Sequence, residues 1–289
     1  MAANDDKYPS ESGRRRFVKG VVGSAALGSV ATGTAATVDM ATSAAGAGGG
    51  ITEYFAIENT DGPAPRGMPI IPIEINSDDE IYGVWPEVET VNRQGRQVAV
   101  AETDIGGTTY SSTWFQYCGV QTYEGIQPDA DQDNAFRSAG GTYDWQDDID
   151  DGTVMTVDMF DDYEEWGNDI GQAGLGKPAV ANWRSDGDVQ TIPVQVLRSP
   201  EVSKMIDGEG KYSSLSGQAR SFLEAATQND VMAWLNKCTH FCCVPGFKAY
   251  GGSASFGGED SVYCQCHQSI YDPFSPVKKT FTALPRPGE

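Results

Sequence analysis

Two short stretches that combine cysteine with histidine constrain this chain more than any other feature of its sequence. The chain has 289 residues, with six cysteines and only two histidines. Both histidines and five of the six cysteines fall within residues 238–243 and 264–267. Thiolates and imidazoles are common protein ligands of transition metals, and two of each make a four-ligand site. The sequence therefore predicts a metal centre built from these two stretches, and the ligand spacing indicates which metal it holds.

Composition excludes one class of partner. Asp and Glu number 41 against 20 Lys and Arg, which gives a formal net charge of −21. Only 21% of the residues are charged, so cations are scarce rather than acids abundant. A surface of this sign repels phosphate backbones, so we exclude nucleic acid as a partner. The composition is typical of halophilic, salt-adapted proteins, in which acidic runs form a solvated face.

The first 50 residues are predicted to carry an export address and a tether. The sequence Gly-Arg-Arg-Arg-Phe-Val-Lys that begins at Gly13 resembles the twin-arginine export signal, which usually has Ser or Thr at that position. We expect residues 1–19 to be cytoplasmic and the uncharged run 20–38 to be a transmembrane anchor helix or the apolar part of the signal. Residues 39–50 are predicted to be a flexible tether, unless cleavage after Ala47 releases the head domain. In both cases we expect the head domain on the extracytoplasmic face of the cell membrane, where disulfides persist.

From residue 51 onward the sequence is typical of a β-rich domain. It contains short β-branched runs separated by turn residues, and the whole chain has 34 Gly and 15 Pro. The predicted strands fall at 69–75, 98–100, 153–157 and 189–197, and a hairpin turn is predicted at 93–96. One helix is predicted at about 214–226, and Trp114, Phe115 and Tyr117 are predicted to be core residues. We expect residues 51–200 to be a β-rich region of uncertain role and residues 201–289 to bind the metal.

The spacing of the cysteines and histidines favours an iron–sulfur cluster over zinc. Structural zinc sites typically pair Cys with Cys at two to four intervening residues, or His with His at three to five. Here each half instead joins one Cys to one His, as Cys238-x-His240 and Cys264-x-x-His267, and each loop carries a further Cys. This pattern resembles the Rieske family, in whose [2Fe–2S] cluster two His replace two Cys on one iron. The resemblance covers about residues 238–272 and is weak elsewhere.

The resemblance implies a ligand set and a fold. Cys238 and Cys264 would bind the inner iron through their thiolates, and His240 and His267 the outer iron through imidazole nitrogen. Each chain would thus hold one Rieske-type [2Fe–2S] cluster. The implied fold is a Rieske-type antiparallel β-sandwich with an inserted cluster-binding subdomain.

The remaining cysteines have less certain roles. Cys243 and Cys266 match the positions that form a disulfide between the two loops in respiratory members of the family. Cys242 stands where the family usually has Gly. It can be a free thiol, pair with Cys118, or compete with Cys243 for Cys266.

Two hydroxyl residues imply a high-potential centre. Ser269 and Tyr271 match family positions that donate hydrogen bonds to a bridging sulfide and to a ligand sulfur. Such donors stabilise the more negative, reduced cluster and raise its potential. Rieske oxygenases usually lack these hydroxyls and the disulfide, so the resemblance is to the respiratory type. Residues 282–287 loosely resemble the proline segment that covers the cluster in that type.

The resemblance implies an electron-transfer subunit of a quinol–cytochrome c reductase-type complex. The head domain would take one electron and one proton from a quinol at a cytochrome b-type membrane subunit, with His240 and His267 as acceptors. It would then swing on the tether at 39–50 and pass the electron to a cytochrome c or a copper protein. Two alternatives remain: a subunit of another exported respiratory system, such as a nitrate reductase, and a soluble exported redox protein.

Overall fold

The computed structural model describes residues 50–93 and 96–284. The predicted export signal, anchor and nearly all of the predicted tether lie outside these residues. Within 50–93 and 96–284, no helix combines the length and the apolar character that a membrane crossing requires.

The described part of the chain is β-rich and antiparallel, as the sequence predicts. The strands are β1 (Gly50–Asp61), β2 (Met68–Ile71), β3 (Ile73–Ile75), β4 (Ile81–Gly83), β5 (Val88–Arg93), β6 (Arg96–Ile105), β7 (Thr108–Ser111), β8 (Arg137–Ser138), β9 (Lys177–Trp183), β10 (Ile192–Arg198), β11 (Val231–Leu235), β12 (Gly246–Phe247), β13 (Val262–Cys264) and β14 (Ser269–Ala283). The α-helices are α1 (Glu201–Asp207) and α2 (Gly217–Ala226). Short 3-10 helices lie at Ser112–Phe115, Val120–Thr122, Glu124–Ile126, Asp144–Gln146, Val157–Phe160, Gly210–Ser214 and Gly251–Phe256.

One nine-stranded sheet organises the molecule. Its strand order is β12-β13-β14-β1-β2-β11-β10-β9-β8. The longest pairing joins β1 to β14, from Gly50 opposite Ala283 to Asp61 opposite Ile270, with two irregularities in register. β11 is a continuous apolar run whose five residues are all buried, as expected of a central strand covered on both faces. The sheet therefore unites strands from the predicted regions 51–200 and 201–289.

The hairpin and two of the strands that the sequence predicts differ in how closely they match the structure. β5 and β6 pair antiparallel and confirm the hairpin predicted at 93–96. The run 69–75 is extended but divides into β2 and β3 at Pro72, which has no N–H to donate. The strand predicted at 153–157 is wrong. The Met155 N–H donates one hydrogen bond to the Phe136 carbonyl, and the Met155 carbonyl accepts one from the Ile81 N–H. A 3-10 helix then begins at Val157. This run bridges two neighbours without forming a ladder with either.

An aromatic core positions both the sheet and the helix α2. The Ser216 side chain accepts a hydrogen bond from the Ala219 N–H and so caps α2, which confirms the predicted helix. Phe222 in α2 stacks on Phe55 of β1 with ring centroids 4.4 Å apart. Full burial of such a side chain contributes about 2–3 kcal/mol. Trp114, Phe115 and Tyr117 are buried as predicted, and the Tyr117 hydroxyl donates to the Lys237 carbonyl 3.0 Å away. The core thus extends to the first Cys–His loop.

Candidate metal centre

The first Cys–His loop turns back on itself between β11 and β12. The Cys238 N–H donates to the Cys243 carbonyl at 2.8 Å, and the Cys242 N–H donates to the Cys238 carbonyl at 3.0 Å. At the base of the loop the buried Asn236 amide donates to the Pro245 carbonyl at 2.9 Å. Cys242 has φ +64, in the left-handed region that favours glycine. These bonds fix the loop backbone around Cys238.

The second Cys–His loop is the tip of a tight hairpin. Cys264 ends β13 and lies directly opposite Ser269, the first residue of β14. The Gln268 N–H donates to the Cys264 carbonyl at 2.8 Å, and Gln268 has φ +62. Cys266 and His267 therefore lie in the turn, between two strands that hold it rigidly.

The two loops bring the four predicted ligands together in two pairs, one of thiols and one of imidazoles. Cys238 and Cys264 are buried, carry free thiols and hydrogen-bond to each other. The rings of His240 and His267 have centroids 4.8 Å apart and are nearly perpendicular. His267 is exposed and His240 is half-buried. The result is a pair of thiols inside and a pair of imidazoles nearer the surface, which is a suitable donor set for a transition metal.

The surroundings of the two thiols favour one negative charge, on the Cys238 sulfur. The hydrogen bond from Cys264 lowers the pKa of Cys238 to about 5, and the Tyr271 hydroxyl and the N–H groups of His240 and Phe241 act in the same direction. The pKa of Cys264 is raised because its thiol keeps the proton in the shared hydrogen bond. The N–H groups of Cys266 and His267 point at the Cys264 sulfur.

One imidazole nitrogen lacks a hydrogen-bond partner. The Nδ1 atom of His240 is buried, and no described residue bonds to it. A buried polar atom without a partner is costly unless something absent from the polypeptide satisfies it. This atom fits the role of a metal ligand.

The other cysteines form two disulfides. Cys243 is bonded to Cys266, with Cα atoms 6.7 Å apart, which ties the two loops together. Cys242 is bonded to Cys118, with Cα atoms 5.4 Å apart, which is one of the three roles that the sequence left open for it. The sulfurs of Cys243, Cys264 and Cys266 all lie within 4.8 Å of one another. Because two of these three sulfurs share a disulfide, they do not form a three-thiolate metal site.

Tyr271 and Ser269 lie against the predicted ligands. Tyr271 is fully buried, its hydroxyl donates to the Cys238 sulfur at 3.1 Å, and it accepts from the Thr239 N–H at 3.1 Å. Burial raises the pKa of Tyr271, so the hydroxyl keeps the proton that it donates. The buried Ser269 lies opposite Cys264 in the hairpin, and its hydroxyl accepts from the Ala64 N–H at 3.2 Å.

A segment that the sequence did not indicate covers both loops. Residues 62–67 read Gly-Pro-Ala-Pro-Arg-Gly. Besides the bond from Ala64 to the second loop, the Arg66 carbonyl accepts from the Thr239 hydroxyl of the first loop at 2.6 Å. A side chain at Gly62 would bring its Cβ to 2.5 Å from the Gln268 carbonyl oxygen. The available signal was the pair of prolines flanked by glycines, which indicates a rigid loop, but nothing in the sequence links it to residues about 200 positions away.

The C-terminal segment expected to cover the site does something else where it is described. Ala283 pairs with Gly50 at the start of β1, and the Leu284 N–H donates to the Gln116 carbonyl at 3.0 Å. Pro285 and Pro287 lie outside the described residues. Residues 62–67 instead bond to the first Cys–His loop at Thr239 and to Ser269, where β14 leaves the second loop.

Comparisons with known proteins add no family to this geometry. A scan against protein-family models, a search of curated proteins and a search of solved structures each found no match. The class of the site is therefore inferred from the ligand spacing and the contacts of the two loops.

Proposed function

We propose that the chain is a Rieske-type iron–sulfur protein that carries one electron at a time. The observation that carries the proposal is the pairing of two buried, hydrogen-bonded thiols with two imidazoles whose centroids are 4.8 Å apart. The Tyr271 hydroxyl on the Cys238 sulfur adds to it, since a donor to sulfur favours the reduced form of such a centre. Zinc accounts less well for one Cys and one His in each loop.

The chain's own residues would hold and tune the cluster. Cys238 and Cys264 would bind as thiolates, and His240 through its partnerless Nδ1 atom together with the His267 imidazole. A [2Fe–2S] cluster bound there supplies a one-electron redox centre. The backbone N–H groups at both sulfurs compensate the negative charge, and the Cys243–Cys266 disulfide limits opening of the loops.

We propose that the observed β-rich architecture is a Rieske-type antiparallel β-sandwich with an inserted cluster-binding subdomain. β12, β13, the start of β14 and the two loops would be the cluster-binding subdomain. The rest of the nine-stranded sheet would be the base on which this subdomain is mounted. The β13–β14 hairpin connects the two, because β14 continues from the second loop into its long pairing with β1.

The surface around the imidazoles supports quinol as the electron donor. Phe241 is 65% exposed, and its ring centroid lies 4.2 Å from that of His240 and 5.2 Å from that of His267. An imidazole can accept the proton that a quinol hydroxyl releases with its electron. An exposed apolar ring beside it suits contact with the apolar quinol site of a cytochrome b-type membrane subunit. We propose a cytochrome c or copper protein as the acceptor.

The two disulfides support an extracytoplasmic location. Disulfides persist in oxidising compartments and are rare in the cytosol. Both bonds involve the first Cys–His loop, through Cys242 and Cys243. With the export signal expected at residues 1–38, we propose that the head domain works on the outer face of the cell membrane.

Electron paramagnetic resonance of the reduced protein, with iron and sulfide analysis, tests the proposal. We expect two irons and two sulfides per chain and a Rieske-type signal at positive potential. The signal should be lost in His267→Ala and kept in the matched control Gln265→Ala, which changes an exposed residue of the same loop. A protein that binds only zinc and gives no signal would contradict the proposal.

A further inference from the structure

Arg66 lies between two aromatic rings beside the first Cys–His loop. Its guanidinium carbon is 3.9 Å from the centroid of Phe281 and 4.9 Å from that of Tyr117. Contacts of this kind hold a cation in place and reduce its hydration. Within residues 50–93 and 96–284 no carboxylate forms an ion pair with Arg66. In a chain with net charge −21, an unneutralised cation at this position is a local exception.

Two hydrogen bonds connect Arg66, and the Tyr117 ring that it contacts, to the residues that flank Cys238 in the sequence. The residue before Cys238 is Lys237, whose carbonyl accepts a hydrogen bond from Tyr117, the ring that Arg66 contacts. The residue after it is Thr239, whose hydroxyl donates to the Arg66 carbonyl at 2.6 Å. The Arg66 backbone and the Tyr117 ring that its guanidinium contacts are therefore each bonded to a residue adjacent in sequence to Cys238, whose sulfur is proposed to bind the inner iron.

The charges of Arg66 and Cys238 act on the same neighbour. Burial raises the pKa of Tyr117 well above its usual range, and negative charge at Cys238 acts in the same direction. The Arg66 cation opposes both. Tyr117, the ring that Arg66 contacts, and Cys238 are both buried, so electrostatic effects between these positions are weakly screened.

We propose that the Arg66 guanidinium raises the reduction potential of the site by stabilising the negative charge that one added electron brings to it. This inference rests on the proposed iron–sulfur function. The electron comes from the quinol or, in a titration, from a chemical reductant, and no bond to Arg66 forms or breaks. A cation stabilises the more negative form selectively, so its removal lowers the potential.

Charge must be separated from packing, because Arg66 also helps to hold residues 62–67 over both loops. Arg66→Met keeps an apolar stem against the two rings and loses the charge. Arg66→Gln loses the charge and keeps a polar end, whereas Arg66→Lys keeps the charge. Lys278→Gln is the matched control, since it removes a surface cation of β14 that pairs with Glu53 at 3.0 Å.

A redox titration followed by electron paramagnetic resonance decides the question, with iron content and thermal unfolding by circular dichroism measured on each variant. We expect Arg66→Gln and Arg66→Met to load as much iron as the wild type and to titrate at a lower midpoint potential. Arg66→Lys should stay close to the wild type, and Lys278→Gln should not move. If Arg66→Gln fails to load, Arg66→Met against Arg66→Lys gives the same comparison.

Two outcomes would overturn the inference while leaving the proposed function intact. In the first, the neutral variants keep the signal and titrate at the wild-type potential. In the second, Arg66→Lys falls as far as Arg66→Met, which indicates packing and not charge. Absence of any iron–sulfur signal in the wild type would instead reject the proposed function, and this inference with it.

Discussion

Removal of the Cys118–Cys242 disulfide should destabilise the protein more than removal of the Cys243–Cys266 disulfide. The first bond joins residues 124 positions apart, and the second joins residues 23 positions apart. In the chain-entropy treatment, bonds closing loops of these lengths contribute about 5 and about 3.5 kcal/mol to the free energy of unfolding. The longer loop should therefore cost about 1.5 kcal/mol more when it is opened.

The assay is guanidinium chloride unfolding of oxidised, metal-free protein, because a bound metal would add its own stabilisation. Tryptophan fluorescence is a suitable signal, since Trp114, Trp183 and Trp234 are fully buried. The variants to compare are Cys118→Ser/Cys242→Ser and Cys243→Ser/Cys266→Ser, which each remove two sulfurs. Serine is preferred to glycine at position 242, because glycine would relieve the positive φ there and obscure the effect.

Either of two stability results would refute this reasoning, and a thiol count checks its premise that both disulfides form. Equal free energies of unfolding, or a larger loss in Cys243→Ser/Cys266→Ser, would show that loop length does not determine the effect. The wild type, denatured without a reductant, should titrate with only two thiols, those of Cys238 and Cys264. A count of four would mean that one of the two disulfides does not form.

Three further predictions concern substitutions of single residues. Tyr271→Phe should keep the cluster signal and lower its midpoint potential by about 40 mV. The loss of one hydrogen bond of about 1 kcal/mol corresponds to that shift for a one-electron couple. An unchanged midpoint potential in a redox titration would contradict this prediction. Burial alone would raise the pKa of Glu201, but hydrogen bonds from two lysines and a tyrosine lower it to about 2 from 4.5. Its contribution, on the order of 2 kcal/mol after allowance for the exposed lysines, is present above pH 4.5 and lost as the pH falls toward 2. Glu201→Gln should therefore flatten unfolding stability over that range, and an unaltered pH dependence would count against the ion pairs. Gly62→Ala should reduce the iron content per chain, because the new Cβ would clash with the Gln268 carbonyl oxygen. Full iron content would contradict this prediction and show that residues 62–67 shift without effect on the site.

The parts of the molecule that the sequence predicts are those controlled by local chemistry. Metal ligands need particular residue types at short spacings, so Cys238, His240, Cys264 and His267 stand out as candidate ligands, and their role as ligands stays a prediction. The hairpin at 93–96 follows from turn residues between β-branched runs. The helix α2 follows from a serine cap and from apolar residues that recur with helical periodicity.

The parts that sequence reasoning missed depend on contacts between distant residues. The segment 62–67 reaches the site only because β1 pairs with β14 along almost its whole length. The Cys118–Cys242 bond depends on the core around Trp114, which fixes the chain close to the first loop. The failed strand at 153–157 has strand-forming residues but lacks a continuous neighbour with which to pair.

The central claim is that Cys238, Cys264, His240 and His267 hold a two-iron cluster with unequal ligands. Mössbauer spectroscopy of protein loaded with isotopically enriched iron tests it most directly, because it distinguishes iron bound only by sulfur from iron that also has nitrogen ligands. We predict both kinds of iron in equal amounts, with loss of the nitrogen-bound kind in His267→Ala. A single kind of iron, or two kinds that persist unchanged in His267→Ala, would contradict the account.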